Sequence, residues 1–318
     1  MTASLLYTED ILRNGFEELT IPLNDDYEGE NVATLIRKKA EAGVAKAVLY
    51  IHGFNDYFFQ AEMAGRFVDQ GYNFYALDLR KYGRSYLPHQ KFNDIRDLKA
   101  YYEEMRKALD IIHDEGNSEV ILVGHSTGGL IVTLFAKDHP ESDRYDGLIL
   151  NSPFFDFNLS RHIKIFLPFV SFLGRFFPRV RVSGGFSEEY GKSIHQSYYG
   201  EWNYDTSWKP NIAPKVNLGW IRAIYRAQQE VRKNFIIAKP TLVMHSERSG
   251  TNRYDKEQAK SMDIILNVDD IERISCDMGS NVETVSISGG IHDLMLSEET
   301  VRQKVHDTIF DWLKRHNL

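Results

Sequence analysis

Cysteine is nearly missing from this chain of 318 residues. Cys276 is the only one, so no intrachain disulfide and no cysteine-built metal cluster can form. An excess of positive charge is missing too: 38 Lys and Arg stand against 45 Asp and Glu, a formal net charge of −7. Without a global basic field, nucleic acid is not an expected partner. Glycine and proline are sparse, 22 and 9, and 42% of the residues are hydrophobic. That composition excludes a low-complexity or disordered chain. Long apolar runs are absent as well. The longest, residues 163–177, is shorter than a bilayer span and contains Lys164, Pro168 and Arg175. The opening MTASLLYTEDILRNGFEEL has no basic start, and Glu9 and Asp10 interrupt its apolar stretch, so it does not read as a secretory signal. The expectation is a cytoplasmic protein.

What is present is rhythm. Residues 15–40 hold two alternating segments, GFEELTIPL and NVATLIRKKA, around a turn-rich NDDYEGE, which predicts an antiparallel hairpin. Apolar strands then alternate with helical spacing: strand 46–51, helix 59–71, strand 72–79, helix 94–115, strand 119–123, helix 128–139 and strand 145–151. Strands apolar on both faces and separated by helices predict an α/β fold with a doubly wound, mostly parallel sheet. The alternation stops from Asp156 to Ala238. It resumes with strands 240–245 and 282–288 and closes on a helix over 297–316. The expected organisation is a core of residues 1–155 and 239–318, with 156–238 inserted as a mainly helical cap over the strand C-termini.

Three motifs lie at those strand ends. Gly124-His125-Ser126-Thr127-Gly128 is a G-x-S-x-G between a strand and a helix, a turn that holds a serine hydroxyl exposed while glycines at −2 and +2 leave room for close backbone approach. A glycine-rich anion-binding helix start is the alternative. His52-Gly53-Phe54-Asn55-Asp56 follows the strand 46–51; N–H groups of Phe54 and Thr127 are the candidate donors to an oxyanion. Gly289-Gly290-Ile291-His292-Asp293 precedes the last helix and offers His292 as general base. Among the other histidines, His125 is expected to point away, His52 and His245 to pack, and His113, His139, His306 and His316 to lie on helix surfaces. No HExxH or clustered metal ligands occur, so neither a metal nor a cofactor is expected. Gly185 to Ser193 imitates a P-loop with one residue too many between its glycines and no preceding strand.

Together HGF, GHSTGG and GGIHDL, with Asp78-Leu79-Arg80-Lys81-Tyr82-Gly83-Arg84-Ser85 matching D-x-R-x-x-G-x-S, resemble the α/β-hydrolase superfamily. Within it the chain is similar to monoacylglycerol-lipase-like, lysophospholipase-type hydrolases with a serine aminopeptidase-like domain. The resemblance implies a Ser-His-Asp hydrolase of carboxylic esters working through an acyl-enzyme. It also implies an acid after strand 240–245, where Ser249 stands in place of the usual Asp. Asp263, in a segment resembling the family's A-D-x-V-V, is the expected displaced acid, with residues 251–261 as an inserted loop. Glu247 and then Asp156 are the alternatives. A serine at 126 is incompatible with sister mechanisms that need an aspartate nucleophile, haloalkane dehalogenase and epoxide hydrolase.

The cap is uneven in composition. Residues 158–187 hold Arg161, Lys164, Arg175, Arg179 and Arg181 with no acidic residue, interleaved with Phe166, Phe169, Phe172, Phe176, Phe177 and Phe186. Two readings stand: an amphipathic lid resting on an anionic lipid surface or admitting an acyl chain, and a roof whose arginines are simply solvated. The favoured substrate is a small-molecule ester, a monoacyl lipid or lysolipid-like ester. A peptidase, with Glu188, Glu189 or Glu201 meeting an amine, a thioesterase, and a ligand-binding protein with little turnover are the rival readings.

Overall fold

Apolar residues on both faces of the strands set the architecture, because each face needs its own cover. A computed structural model describes residues 6–184, 187–233 and 235–318. Nine strands form one sheet: β1 (Thr8–Glu9), β2 (Phe16–Asp26), β3 (Gly29–Lys38), β4 (Lys46–Ile51), β5 (Asn73–Asp78), β6 (Glu119–His125), β7 (Gly147–Asn151), and, beyond a two-stranded ribbon of β8 (Arg181–Val182) and β9 (Val216–Asn217), β10 (Thr241–Ser246) and β11 (Val282–Ile287). Their spatial order is β1-β2-β3-β5-β4-β6-β7-β10-β11. The first four in that list pair antiparallel and the rest parallel, giving the mostly parallel, mixed sheet of an α/β-hydrolase.

Side chains alternate across the sheet as the pleat requires. Ala47, Leu49 and Ile51 of β4 join a core with Leu122, Leu150 and Val243. That core is covered by α2 (Tyr102–Asp114), α3 (Thr127–Asp138), α7 (Leu218–Val231) and α9 (Val268–Cys276). Val48 and Tyr50 face the other way, toward α1 (Ala61–Asp69) and α10 (Glu299–His316), where Phe67, Ile309 and Trp312 are buried. The β2–β3 hairpin is as predicted, with β2 running three residues further and β3 starting two residues earlier than the alternating segments; Leu19, Ile21 and Leu23 are buried on one face and Phe16 on the other.

Between the adjacent strands β7 and β10 the chain leaves the sheet. This inserted segment carries α4 (Arg161–Lys164), α5 (Leu167–Phe176), α6 (Glu189–Ile194), the β8–β9 ribbon and α7. Trp220, Ile224 and Val231 of α7 pack into the core.

Three local expectations are corrected. The helix expected over 94–115 begins only at Tyr102, after a 3-10 turn Leu98–Tyr101; Asp94 is held instead by Tyr27 Oη and Asn217 Nδ2, and Asp97 caps Lys99. The loop 251–261 contains a helical turn, α8 (Lys256–Ala259), because Asp255 accepts from both Glu257 N and Gln258 N. His306 lies inside rather than on the surface, 2% exposed, with its ring parallel to that of Phe310. Burial pushes its imidazole down to about 4.

Candidate active site

The turn carrying Ser126 is built by close contact. A Cβ on Gly124 would stand 2.7 Å from Gly128 O, and one on Gly128 would stand 2.2 Å from Ile51 O and 2.5 Å from His52 O. Only glycine fits at either place, which is why the motif has this spacing. Ser126 itself takes φ 52°, ψ −113°, a conformation that costs a non-glycine residue about 1–3 kcal/mol and persists because its surroundings over-determine it. Ser126 N donates to Asn151 O, and Ser126 O accepts from Leu130 N and Phe154 N.

His292 Nε2 lies 3.0 Å from Ser126 Oγ, and His292 Nδ1 lies 2.9 Å from Asp263 Oδ2. All three residues are buried. The other oxygen of Asp263, Oδ1, accepts from Ile265 N at 2.8 Å and Leu266 N at 2.7 Å. The way Asp263 reaches this place is visible in the backbone: it forms a parallel bridge with Ser249, with Asp263 N donating to Arg248 O and Gly250 N to Asp263 O. The excursion through α8 thus returns the chain to lie beside the position where the resemblance expects an acid. Ser249 has other work, its Oγ accepting from Val268 N at the start of α9. Glu247 is exposed, its carboxylate beside Ser288 Oγ and Arg248. Asp156 is bound by Lys164 and Arg232 within the inserted segment and its base. Neither reaches His292.

Thr127 opens α3, and no residue precedes it in the helix to accept from its N–H. Phe54 and Thr127 line the same cavity as Ser126 and His292. The D-x-R-x-x-G-x-S segment braces the loop behind Phe54: Asp78 Oδ1 accepts from Phe58 N, and Asp78 Oδ2 from Arg84 N and Nη1.

Sequence reasoning missed a buried polar network beneath the site. Asn151 Nδ2 donates to Asp293 Oδ1 at 2.7 Å, and Asn151 Oδ1 accepts from Leu294 N, pinning the His292 loop to β7. His125 does not turn away from the site altogether: its ring centre is 5.0 Å from that of His292, it lines the cavity, and its Nδ1 stands 3.7 Å from Asp56 Oδ2 and 3.8 Å from Asp293 Oδ2. Lys209 Nζ donates to Asp56 Oδ1 at 2.8 Å. Burial alone raises a carboxyl, but this ammonium, with His125 and His52, holds Asp56 well below the usual carboxylate range. The available signal was the acid placed next to each motif, Asp56 after HGF and Asp293 after His292. Asp56, His125 and Asp293 are also the one metal-type cluster among the described residues, with ligand atoms within 4.8 Å of one another. The Lys209 ammonium already supplies the cation there, which disfavours a metal ion. His52 packs as expected, accepting from Leu79 N.

Above Ser126 is a cavity of about 460 Å³, in the size range of small-molecule sites. Its walls are mostly apolar, with Phe154, Leu167, Val170, Trp220, Ile264 and Leu266 among them, and no Asp or Glu among its described lining residues. Glu188, Glu189 and Glu201 pair instead with Lys192, Tyr199 and Arg302. Along and beside α4 and α5, Ile165, Phe166, Phe169, Phe172, Phe176 and Phe177 are each more than half exposed, whereas Ile163 lines the cavity. Phe186, and the Gly185-Phe186 start of the P-loop imitation, lie outside the described residues. Lys164 is neutralised by Asp156 and Asp270, which leaves four basic residues of that stretch. No helix among the described residues is long and apolar enough to cross a membrane.

Residues 42–299 match the family model described as serine aminopeptidase, S33 (Hydrolase_4). The chain belongs to this family of α/β-hydrolases. The solved structure of a soluble variant of monoglyceride lipase from Saccharomyces cerevisiae shares the fold with TM-score 0.70 at 20% identity, over 99% of this chain and 98% of that one. A monoacylglycerol lipase from Paleococcus ferrophilus gives 0.64 at 16%, over 89% and 99%. Among curated proteins, epoxide hydrolase 4 of Mus musculus is 35% identical over 95 residues, which is 30% of this S33 chain and 25% of the relative. The match therefore spans about a quarter of that relative's length.

Proposed function

We propose that this S33-family chain hydrolyses carboxylic esters through an acyl-enzyme on Ser126. His292 Nε2 takes the proton of Ser126 Oγ as it attacks the ester carbonyl, and gives it to the departing alcohol. Asp263 accepts from Nδ1, holds the tautomer and stabilises the imidazolium. The N–H groups of Phe54 and Thr127 receive the oxyanion, and His292 then activates the water that releases the acid. The observation that carries this reading is the Asp263–His292–Ser126 line of hydrogen bonds ending at the foot of an apolar cavity.

The apolar walls favour a monoacyl lipid or lysolipid-like ester. Residues 156–238 serve as the cap, and the exposed phenylalanines of α4 and α5, next to Arg161, Arg175 and Arg179, form the side that meets a lipid surface. A peptidase that captures a substrate amine has no carboxylate for it among the described lining residues. Epoxide opening through an alkyl-enzyme needs a carboxylate where Ser126 stands. The test is fluorophosphonate labelling together with hydrolysis of p-nitrophenyl esters of increasing chain length, for the parent and Ser126→Ala. Labelling and turnover by the parent alone, with an optimum at medium or long acyl chains, is expected. A parent that neither labels nor turns over, or activity that survives Ser126→Ala, overturns the proposal.

A further inference from the structure

The loop that carries Phe54 is not held by the core alone. Three consecutive residues after Phe54 are each tied to one short strap of the inserted segment, residues 205–210. Asn55 Nδ2 donates to Pro210 O at 2.8 Å, Lys209 Nζ donates to Asp56 Oδ1 at 2.8 Å, and Asp205 N donates to Tyr57 Oη at 2.7 Å. Trp208 adds an edge-on contact with the Tyr57 ring at 5.1 Å. Asn55 sits at φ 54°, the left-handed region that a non-glycine residue keeps only when its neighbours hold it there. The residue next to Phe54 is therefore strained, and the strap supplies one of its restraints.

The lock at the centre of this strap is ionic and buried. Lys209 and Asp56 are 6% and 1% exposed, so removing one partner leaves an uncompensated charge rather than a hydrated one. It also reaches further than Asp56. The second carboxylate oxygen, Asp56 Oδ2, faces His125 Nδ1 at 3.7 Å, and the same nitrogen is 3.8 Å from Asp293, the residue after His292. Neither ring nitrogen of His125 nor Asp56 Oδ2 has a hydrogen-bond partner, so Lys209 is the group that balances this corner.

We infer that the strap 205–210 clamps the oxyanion loop in position, with Lys209 acting through Asp56 as a positioning residue for the Phe54 N–H. This ties the placement of the inserted segment to the geometry at Ser126, and its kinetic consequence rests on the hydrolase reading above. A displaced donor loses transition-state stabilisation while leaving substrate binding in the cavity nearly intact, so the loss falls on kcat.

The test uses the full chain with Lys209→Met, Lys209→Arg and the milder Tyr57→Phe, which deletes only the hydroxyl that accepts from Asp205 N. Hydrogen–deuterium exchange of peptides covering 53–58 is read beside kcat and KM for p-nitrophenyl butyrate. Lys209→Met is expected to lower kcat about 10- to 100-fold, more than it changes KM although Lys209 also lines the cavity, and to speed exchange at 53–58 while β4 stays protected. Lys209→Arg restores both, and Tyr57→Phe moves both less in the same direction. Unchanged exchange at 53–58 in Lys209→Met and Tyr57→Phe overturns the clamp, as does exchange that rises equally throughout the chain. A parent without Ser126-dependent turnover overturns the hydrolase reading instead, and the exchange data still decide the clamp.

Discussion

Replacing Asp263 by asparagine is the sharpest test of the site, because the structure dictates which way the new amide must face. Asp263 Oδ1 accepts from two backbone N–H groups, Ile265 at 2.8 Å and Leu266 at 2.7 Å. Those groups can only donate, so the amide oxygen takes that side and the NH₂ is turned toward His292 Nδ1. An imidazole facing a donor presents its Nδ1 lone pair and carries its proton on Nε2. Nε2, 3.0 Å from Ser126 Oγ, then has no lone pair with which to take the serine proton. A wrong tautomer of this kind costs about 10⁴ in kcat, which is about 5 kcal/mol at 1.36 kcal/mol per decade. Asp263→Ala is the informative control. It strands both backbone donors and is the less stable protein, yet it leaves the tautomer free. The assay is kcat/KM for a short p-nitrophenyl ester beside the thermal midpoint of each variant. Asparagine is expected to be at least as crippled as alanine while melting higher. An asparagine variant that keeps more than about a tenth of parental kcat/KM refutes the tautomer argument.

Three other outcomes follow from named contacts. Glu247→Gln, exposed and away from His292, should leave kcat/KM within about twofold, since surface changes of this kind stay within about 0.5 kcal/mol; a large loss would return Glu247 to the role of acid. Gly128→Ala drives a Cβ against the Ile51 and His52 carbonyls, backbone that cannot step aside, and should cost about 3 kcal/mol or more of stability by urea titration; a parental midpoint would show that the turn is looser than its geometry. His306 has an imidazole lowered to about 4 against an ordinary value near 6.5. The unfolded chain therefore binds the proton first, and stability falls as pH drops from about 6.5 to 4, by up to about 3 kcal/mol. His306→Gln should flatten that part of the stability–pH curve, and an unchanged slope would remove His306 as its source.

How far these features were legible differs from element to element. The strands at 46–51, 119–123 and 240–245 were plain because a buried parallel strand has to be apolar on both faces. Their local turns were plain because close backbone approach leaves a glycine signature at fixed offsets. The start of α2 was not, since Asp94 is claimed by Tyr27 and Asn217, partners far away in sequence. The inside position of His306 was hidden for the same reason: a histidine on an amphipathic helix does not announce which side is covered.

The sequence by itself determined the alternation of strands and helices, the serine turn, and the order in which Ser126, the candidate acids and His292 follow one another, all of which depend on neighbours along the chain. It could nominate Asp263 only through a resemblance, with Glu247 and Asp156 still open. Tertiary structure alone decided that Asp263 lies beside Ser249 and within hydrogen-bond distance of His292, and that Lys209 of the inserted segment neutralises Asp56. Those pairings join residues from separate segments of the chain. A charge or a hydrogen bond has no preferred partner until the fold has excluded water and left one within reach.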